Sequence, residues 1–388
     1  MTQARPAPAS DPRLSEEMSI FLDAVRFGAA LVVVFNHLGA AQLGGAWMNT
    51  IYLGYVAVMT FFVMSGFVIG YVADGREHGL RVFMASRLAR LWSVLLPALL
   101  LTAILDAIGR GMAPGAYQGW DHYMAWDRPF LRLGAAALFL NEIWFQSIAP
   151  LSNAPVWSLG FEFWYYVIFA FAAFTAGSVR MLLVIAAAAV AGPKILLLMP
   201  VWLAGWAAWK LVKRRVVPEA AGWALVIIAP SLLLAGIGLR VGWKLLDLER
   251  GLLGQPILDQ LGYAAEVVWG WVIGLLVAAA FVGFASVGHR LSGLLRPLSR
   301  AIRFGAAMTL SIYLVHLPVL MFASAVLRRQ SNGPLRTAEL GLAALAVSLV
   351  FSILFENHRR LWRRLLEDLF SRLGGLALRP ARAPDPAA

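Results

Sequence analysis

Cysteine is absent from the 388 residues. No disulfide, thiolate nucleophile or thiolate-held metal can form, and chemistry through a cysteine acyl-enzyme is excluded. Charge is scarce too: Asp, Glu, Lys and Arg make up 14% of the chain, against ~25% in ordinary soluble domains. Hydrophobic residues supply 60% and the mean hydropathy is +0.73. That share is roughly 230 residues, enough for about ten spans of about 20 residues each. Little is left for a separate soluble catalytic domain, so any chemistry falls to the spans and their short connections. A cleavable leader is also missing. Residues 1–17 (MTQARPAPASDPRLSEE) are polar, rich in Pro and Ala and expected to be disordered, and the first apolar run carries Asp23 and Arg26. There is no internal repeat.

What charge there is has one dominant sign. The formal net charge is +12, which in a chain with many spans reads as the excess of Arg and Lys on cytoplasmic connections. Apolar runs fall near 19–42, 50–73, 91–109, 133–149, 156–176, 180–192, 195–212, 221–239, 262–287, 304–327 and 336–356. Basic connections lie at 81–90, 210–215 and 289–303, and in the tail from 358. If all eleven runs cross, the first basic connection falls opposite the other three. The conflict disappears if 133–149 does not cross; it is short and carries Asn141, Glu142 and Gln146. Read as re-entrant, it needs protein or water around its backbone. The expectation is an all-α bundle of ten spans with both termini in the cytoplasm, its membrane domain at 18–356. A basic tail follows at 357–388, with an amphipathic interfacial helix from Glu356 to Gly374. The weakest stretch is 180–212, broken at Gly192-Pro193-Lys194.

Four places could carry chemistry. In the first span, Arg26 and His37 are eleven residues apart, three turns plus about 20°, so they share a face about 16 Å apart along the axis. Asp23 joins that stripe, which must face the bundle interior or water; alone, it is equally a structural ion pair with a packed histidine. Second, Glu162 opens an aromatic span just after Trp157 and Ser158, where a carboxylate suits acid–base work or merely a helix N-terminus. Third, Arg87 and Arg90 are three apart beside Arg76 and Arg81, a two-guanidinium clamp suited to phosphates or an ordinary basic connection. Fourth, Tyr313 and His316 share a face in mid-span. His122 and Asp127 have the H-x-x-x-x-D spacing of soluble-face glycerolipid acyltransferases, but not its surroundings. The six histidines are scattered with no metal-ligand spacing, so no metal is expected. Gly66 and Gly70 have the spacing of close helix packing.

In this order, these segments resemble the acyltransferase-3 family of polytopic membrane proteins, from about residue 18 to 326. The resemblance is carried by Arg26 and His37, preceded by Asp23. It continues through Val58, Phe61, Phe62, Ser65, Gly66 and Phe67, and then Arg87, Arg90 and Pro97. Asn153, Trp157, Ser158, Leu159 and Glu162 follow, then Ser311, Tyr313, Leu314, His316 and Pro318. Ala24, Phe27 and Ala57 stand where the family commonly has glycine, and Thr309 and Leu310 replace a Ser-Tyr pair; a tyrosine role at 310 is thereby put in doubt. The resemblance implies transfer of an acyl group, most often acetyl, from cytoplasmic acyl-CoA to a hydroxyl of an extracytoplasmic glycan or lipid-linked sugar. It implies a bacterial inner (plasma) membrane location, a membrane-lipid setting and no nucleic acid. His37 and Glu162 are then the expected catalytic pair, with Glu162 orienting or protonating the imidazole or handling the leaving thiolate. Arg26, Arg87 and Arg90 are expected to hold the acyl-CoA donor, and Asn153, Trp157, Ser158, Tyr313 and His316 to line the acceptor site. Direct transfer and an acyl-histidine relay both stay open. The competing reading is a sugar or lipid transporter using the Asp23/Arg26/His37 stripe as a relay, although transporters often carry internal symmetry. A polymerase or glycosyltransferase acting on lipid-linked sugars is a further rival.

Overall fold

The computed structural model describes residues 14–40, 43, 45–48, 53–75, 79–118, 124–327 and 333–373. Most of the expected disordered segment 1–17, Arg76, His122 and the tail beyond 373 lie outside these. Every regular element among the described residues is helical. The chain runs through α1 (Glu16–Leu38), α2 (Leu53–Gly75), α3 (Leu80–Met112), α4 (Pro129–Ala137), α5 (Trp157–Phe174), α6 (Gly177–Ala191), α7 (Pro193–Arg214) and α8 (Glu219–Gly238). It continues through α9 (Val241–Leu253), α10 (Gln255–Leu261), α11 (Val267–Val287), α12 (Ser292–Ala307), α13 (Thr309–Val326), α14 (Pro334–Phe355) and α15 (Arg359–Leu373). Nine helical segments of the described residues are long and apolar enough to cross a membrane, and α6, with 15 residues, is a shorter apolar helix. Many leucines on their outer faces, such as Leu182 and Leu234, are exposed, as a lipid-facing surface requires. The chain is thus an all-α integral membrane bundle.

The run at 133–149 does not cross. α4 ends at Ala137, and the chain then turns without regular helix until the 3-10 turn at Ala154–Val156. Phe139, Trp144 and Leu151 take positive φ along the way. The backbone amide of Trp144 donates to the Ala191 carbonyl at the α6–α7 turn, 2.9 Å away. Gly192 occupies that turn with φ 81°, and a Cβ there would come within 2.6 Å of Trp144 Cα. Only glycine meets both demands. Lys194, the second residue of α7, is fully buried. It pairs with Glu142 and donates to Ser147 Oγ at 2.6 Å and to the Gln146 carbonyl. Three ammonium protons meet three acceptors, so the buried charge is compensated.

α2 and α7 meet backbone to backbone. A Cβ on Gly66 would lie 1.9 Å from the Trp202 carbonyl oxygen, and one on Gly205 would lie 1.8 Å from that of Val63. The Gly66 and Gly70 spacing is therefore a packing seam. At its end, Asp74 accepts from Lys210 at 2.8 Å, Lys213 at 3.0 Å and Trp209 Nε1 at 2.9 Å. Two features differ from the sequence reading. The connection before 262 forms α9 and α10, and the run at 304–327 is divided, with the Arg-bearing amphipathic α12 separate from α13. Arg296 of α12 ties back to Glu17 at the start of α1, 3.0 Å away. The expected tail helix is present as α15, which packs against α3 with Leu366 buried. One end of the bundle thereby gathers α12, α15 and the Asp74 cluster, and the opposite end carries α4, the 138–153 segment and α9–α10.

Lys194→Met leaves the buried Glu142 uncompensated and is expected to cost about 3–5 kcal/mol, read as a lower thermal midpoint of the detergent-solubilised protein. Adding Glu142→Leu should recover part of the loss. Equal stability of the single variant and the parent would show that the pair does not hold the segment.

Candidate functional site

The first span delivers its polar stripe as its spacing predicts. Ser15 caps α1 by accepting from the Met18 amide at 3.1 Å. Asp23 pairs with Arg26 at 3.1 Å, and His37 stands in the last turn. At that level α1 meets α13, and the imidazoles of His37 and His316 face each other with ring centroids 5.0 Å apart. His37 Nδ1 lies 3.0 Å from the Val33 carbonyl and 3.1 Å from His316 Nε2. His316 Nδ1 lies 2.8 Å from the Ile312 carbonyl.

These contacts assign the protons. A carbonyl oxygen can only accept, so both Nδ1 atoms carry N–H. The neutral His316 then offers its Nε2 lone pair to His37 Nδ1–H. His37 Nε2 is left with an unshared pair and no hydrogen bond to another described residue. A half-buried imidazole fixed in one tautomer by a second one is built to take a proton at Nε2. His316, expected at the acceptor site, is thus engaged with His37. Glu162, expected to orient His37, makes no hydrogen bond to it.

Glu162 belongs to a second cluster. Its carboxylate accepts from the Tyr166 hydroxyl one turn along α5. Tyr166 pairs with Ser65 Oγ at 3.1 Å, and Ser65 accepts from Trp202 Nε1 at 3.2 Å. Arg90 is within electrostatic reach of Glu162, Tyr166 and Glu356, and Arg26 is within reach of Arg90, Glu356 and Arg359. Arg87 is buried, with Nη2 donating to Ser86 Oγ at 3.0 Å and its guanidinium over the Phe83 ring. The buried Arg26 Nε has no hydrogen-bond partner among the described residues. Arg26, Arg87 and Arg90 therefore converge on one polar region towards the basic end.

Glu356 is the residue that sequence reasoning missed there. It accepts from Ser311 Oγ at 2.7 Å and Ser352 Oγ at 3.2 Å. The sequence reading places it at the end of the membrane domain and the start of the interfacial helix, although a carboxylate closing an apolar run beside a basic stretch is a signal for a buried partner.

The acceptor-side expectations divide. Trp157 stacks on Tyr263, with centroids 4.3 Å apart and planes 7° apart. Ser158 Oγ and the Tyr313 hydroxyl are 2.7 Å apart, joining α5 to α13, and the Tyr313 ring lies 6.4 Å from that of His316. Asn153 is fully buried and spends its amide hydrogens on Thr102 Oγ1 at 3.0 Å and the Leu314 carbonyl at 2.7 Å. That amide ties the 138–153 segment to α3 and α13. Asp127 accepts from Arg132 Nε at 2.9 Å, and this hydrogen bond holds its carboxyl below the ordinary range. The other half of that decoy motif, His122, lies outside the described residues.

A family profile described as an acyltransferase domain matches residues 19–356. The acyltransferase MdmB of Streptomyces mycarofaciens is 27% identical over 157 residues, which is 38% of this chain. The chain thus aligns with 37% of that relative's length. No solved structure matches.

Asn153→Leu strands the Leu314 carbonyl and is expected to cost about 1–3 kcal/mol. Thermal unfolding in detergent checks this; an unchanged midpoint would remove Asn153 from the clasp between the segment and α13.

Proposed function

We propose that this chain, which belongs to the acyltransferase-3 family, is a membrane acyltransferase that takes an acyl group, acetyl in the first instance, from acyl-CoA. The acceptor is a hydroxyl of a glycan or lipid-linked sugar. The positive-inside bias assigns the end with α12 and α15 to the cytoplasm, with both termini on that side of a bacterial inner membrane. The observation that carries the reading is the contact between His37 and His316, 3.1 Å from Nδ1 to Nε2.

In this mechanism Arg26, Arg87 and Arg90 bind the phosphates of the donor from the basic end, as guanidinium forks suit. Glu162, held by Tyr166, orients Arg90 and keeps the local charge near balance. His37 Nε2 removes the acceptor hydroxyl proton as the oxygen attacks the thioester carbonyl. The tetrahedral intermediate expels the CoA thiolate, and the imidazolium returns the proton to that sulfur. Bonds and protons balance with no further reactant. His316 acts on His37 alone, as a positioning residue: its Nε2 accepts the Nδ1–H and stabilises the imidazolium, in the manner of a triad's third member. Trp157 and the Ser158–Tyr313 hydroxyl pair flank the acceptor hydroxyl.

Membranes given radiolabelled acetyl-CoA and a crude envelope glycan fraction test this. His37→Ala should abolish label transfer while the protein stays folded; full activity would exclude His37 as the base. His316→Leu should lower kcat by about 10²-fold with the donor KM unchanged. His316→Gln, which keeps an acceptor for Nδ1–H, should recover part of that loss. Equal loss in both would reduce His316 to packing. Arg90→Gln should instead raise the donor KM, and an effect on kcat alone would move Arg90 out of the donor site.

A further inference from the structure

α3 carries a polar ladder inside an apolar helix. Thr102, Asp106 and Arg110 follow one another at four-residue steps, so they lie along one face and rise about 12 Å from first to last. The first rung is met by Asn153, whose amide reaches Thr102 Oγ1 at 3.0 Å. The second is met by Ser152, whose backbone amide and hydroxyl donate to the two Asp106 oxygens at 2.9 and 2.7 Å. Both rungs are fully buried and both are matched by the 138–153 segment.

The third rung has no such match. Arg110 makes no hydrogen bond or salt bridge to another described residue, and its Nε is buried without a partner. Asp106, one turn below, attracts it, but both Asp106 oxygens are already occupied by Ser152. The guanidinium is held instead by two aromatic faces: Tyr117 with its centroid 4.9 Å away and Trp126 at 5.2 Å. Stacking fixes the plane of a guanidinium and leaves its edge, where all five N–H donors lie, for a planar acceptor. Tyr117 also shares a small buried apolar cluster with Leu317 of α13, the residue after His316. Arg110 also follows Arg90 by twenty residues on α3, about 30 Å along the axis, and so lies at the end of the bundle opposite the donor arginines.

We infer that Arg110 binds an oxyanion of the acceptor, so that the acylated substrate is an acidic sugar or a phosphate-bearing saccharide. A neutral glycan would leave the cation without an acceptor in a half-buried site, whereas a carboxylate or phosphate meets both its charge and its fork geometry. The inference rests on the proposed acceptor reading, and it concerns binding alone.

The test is the rate at which phenylglyoxal modifies individual arginines of the purified full chain in detergent, read by peptide mass spectrometry. Sodium glucuronate, sodium phosphate and neutral methyl glucoside are the probes, and Arg240, exposed at the same end, is the internal control. An anion at twice its Kd should slow Arg110 labelling by about threefold, with Arg240 and the methyl glucoside arm unchanged. Protection by glucuronate alone assigns a carboxylate, and protection by phosphate alone assigns a phosphate. Protection by both supports an oxyanion site of either kind. No protection, equal protection of Arg240, equal protection by the neutral sugar, or failure of Arg110 to react would each overturn the inference. Acyl transfer is not read here, so loss of the proposed reaction in a separate assay leaves this result standing.

Discussion

In hydrocarbon, a polar group that finds no partner within the protein costs several kcal/mol. This bundle meets the constraint at four places where its helices depart from continuous apolar sequence. Lys194 answers Glu142, Ser152 answers Asp106, Asn153 answers Thr102 and the Leu314 carbonyl, and Ser311 answers Glu356. Three of these four contacts hold the irregular segment 138–153. Non-helical backbone at that depth is tolerable because protein surrounds it, and the same clasps bring α3, α5 and α13 to fixed positions around the two imidazoles.

The arrangement separates two chemistries along the bundle. Towards one end lie Arg26, Arg87 and Arg90 with Glu162 and Glu356 among them, a mixed-charge region suited to a polyanionic donor. Towards the other lie Trp157 on Tyr263 and Arg110 between its two rings. The His37–His316 pair stands where these regions adjoin. Because Val33 and Ile312 fix the two Nδ1 protons from their own helices, the direction of the imidazole chain is a property of backbone geometry. No acidic third partner is required to set it.

Spacing alone was enough to read some of this. The eleven-residue interval from Arg26 to His37 and the short polar run at 133–149 each have a local cause, a helix face in one case and broken hydropathy in the other. The partner of His37 had no such trace. His316 lies 279 residues away, and only the packing of α1 on α13 joins them. Lys194 read as a break between two spans because the carboxylate that neutralises it sits on a segment that is not a helix. Asp106 is hidden within the apolar run 91–109 and Arg110 falls just past its end, although both belong to one 33-residue helix. Glu356 stood out only as a boundary because the hydropathy change falls on it, although its hydrogen bonds are with Ser311 and Ser352 of the bundle.

The distance between the two imidazoles along the chain has a consequence for how the protein is made. Among the candidate spans of the described residues, His37 lies on the first and His316 on the last but one. A growing chain therefore holds its histidine without the neighbour that fixes its proton until almost all of the bundle has entered the bilayer.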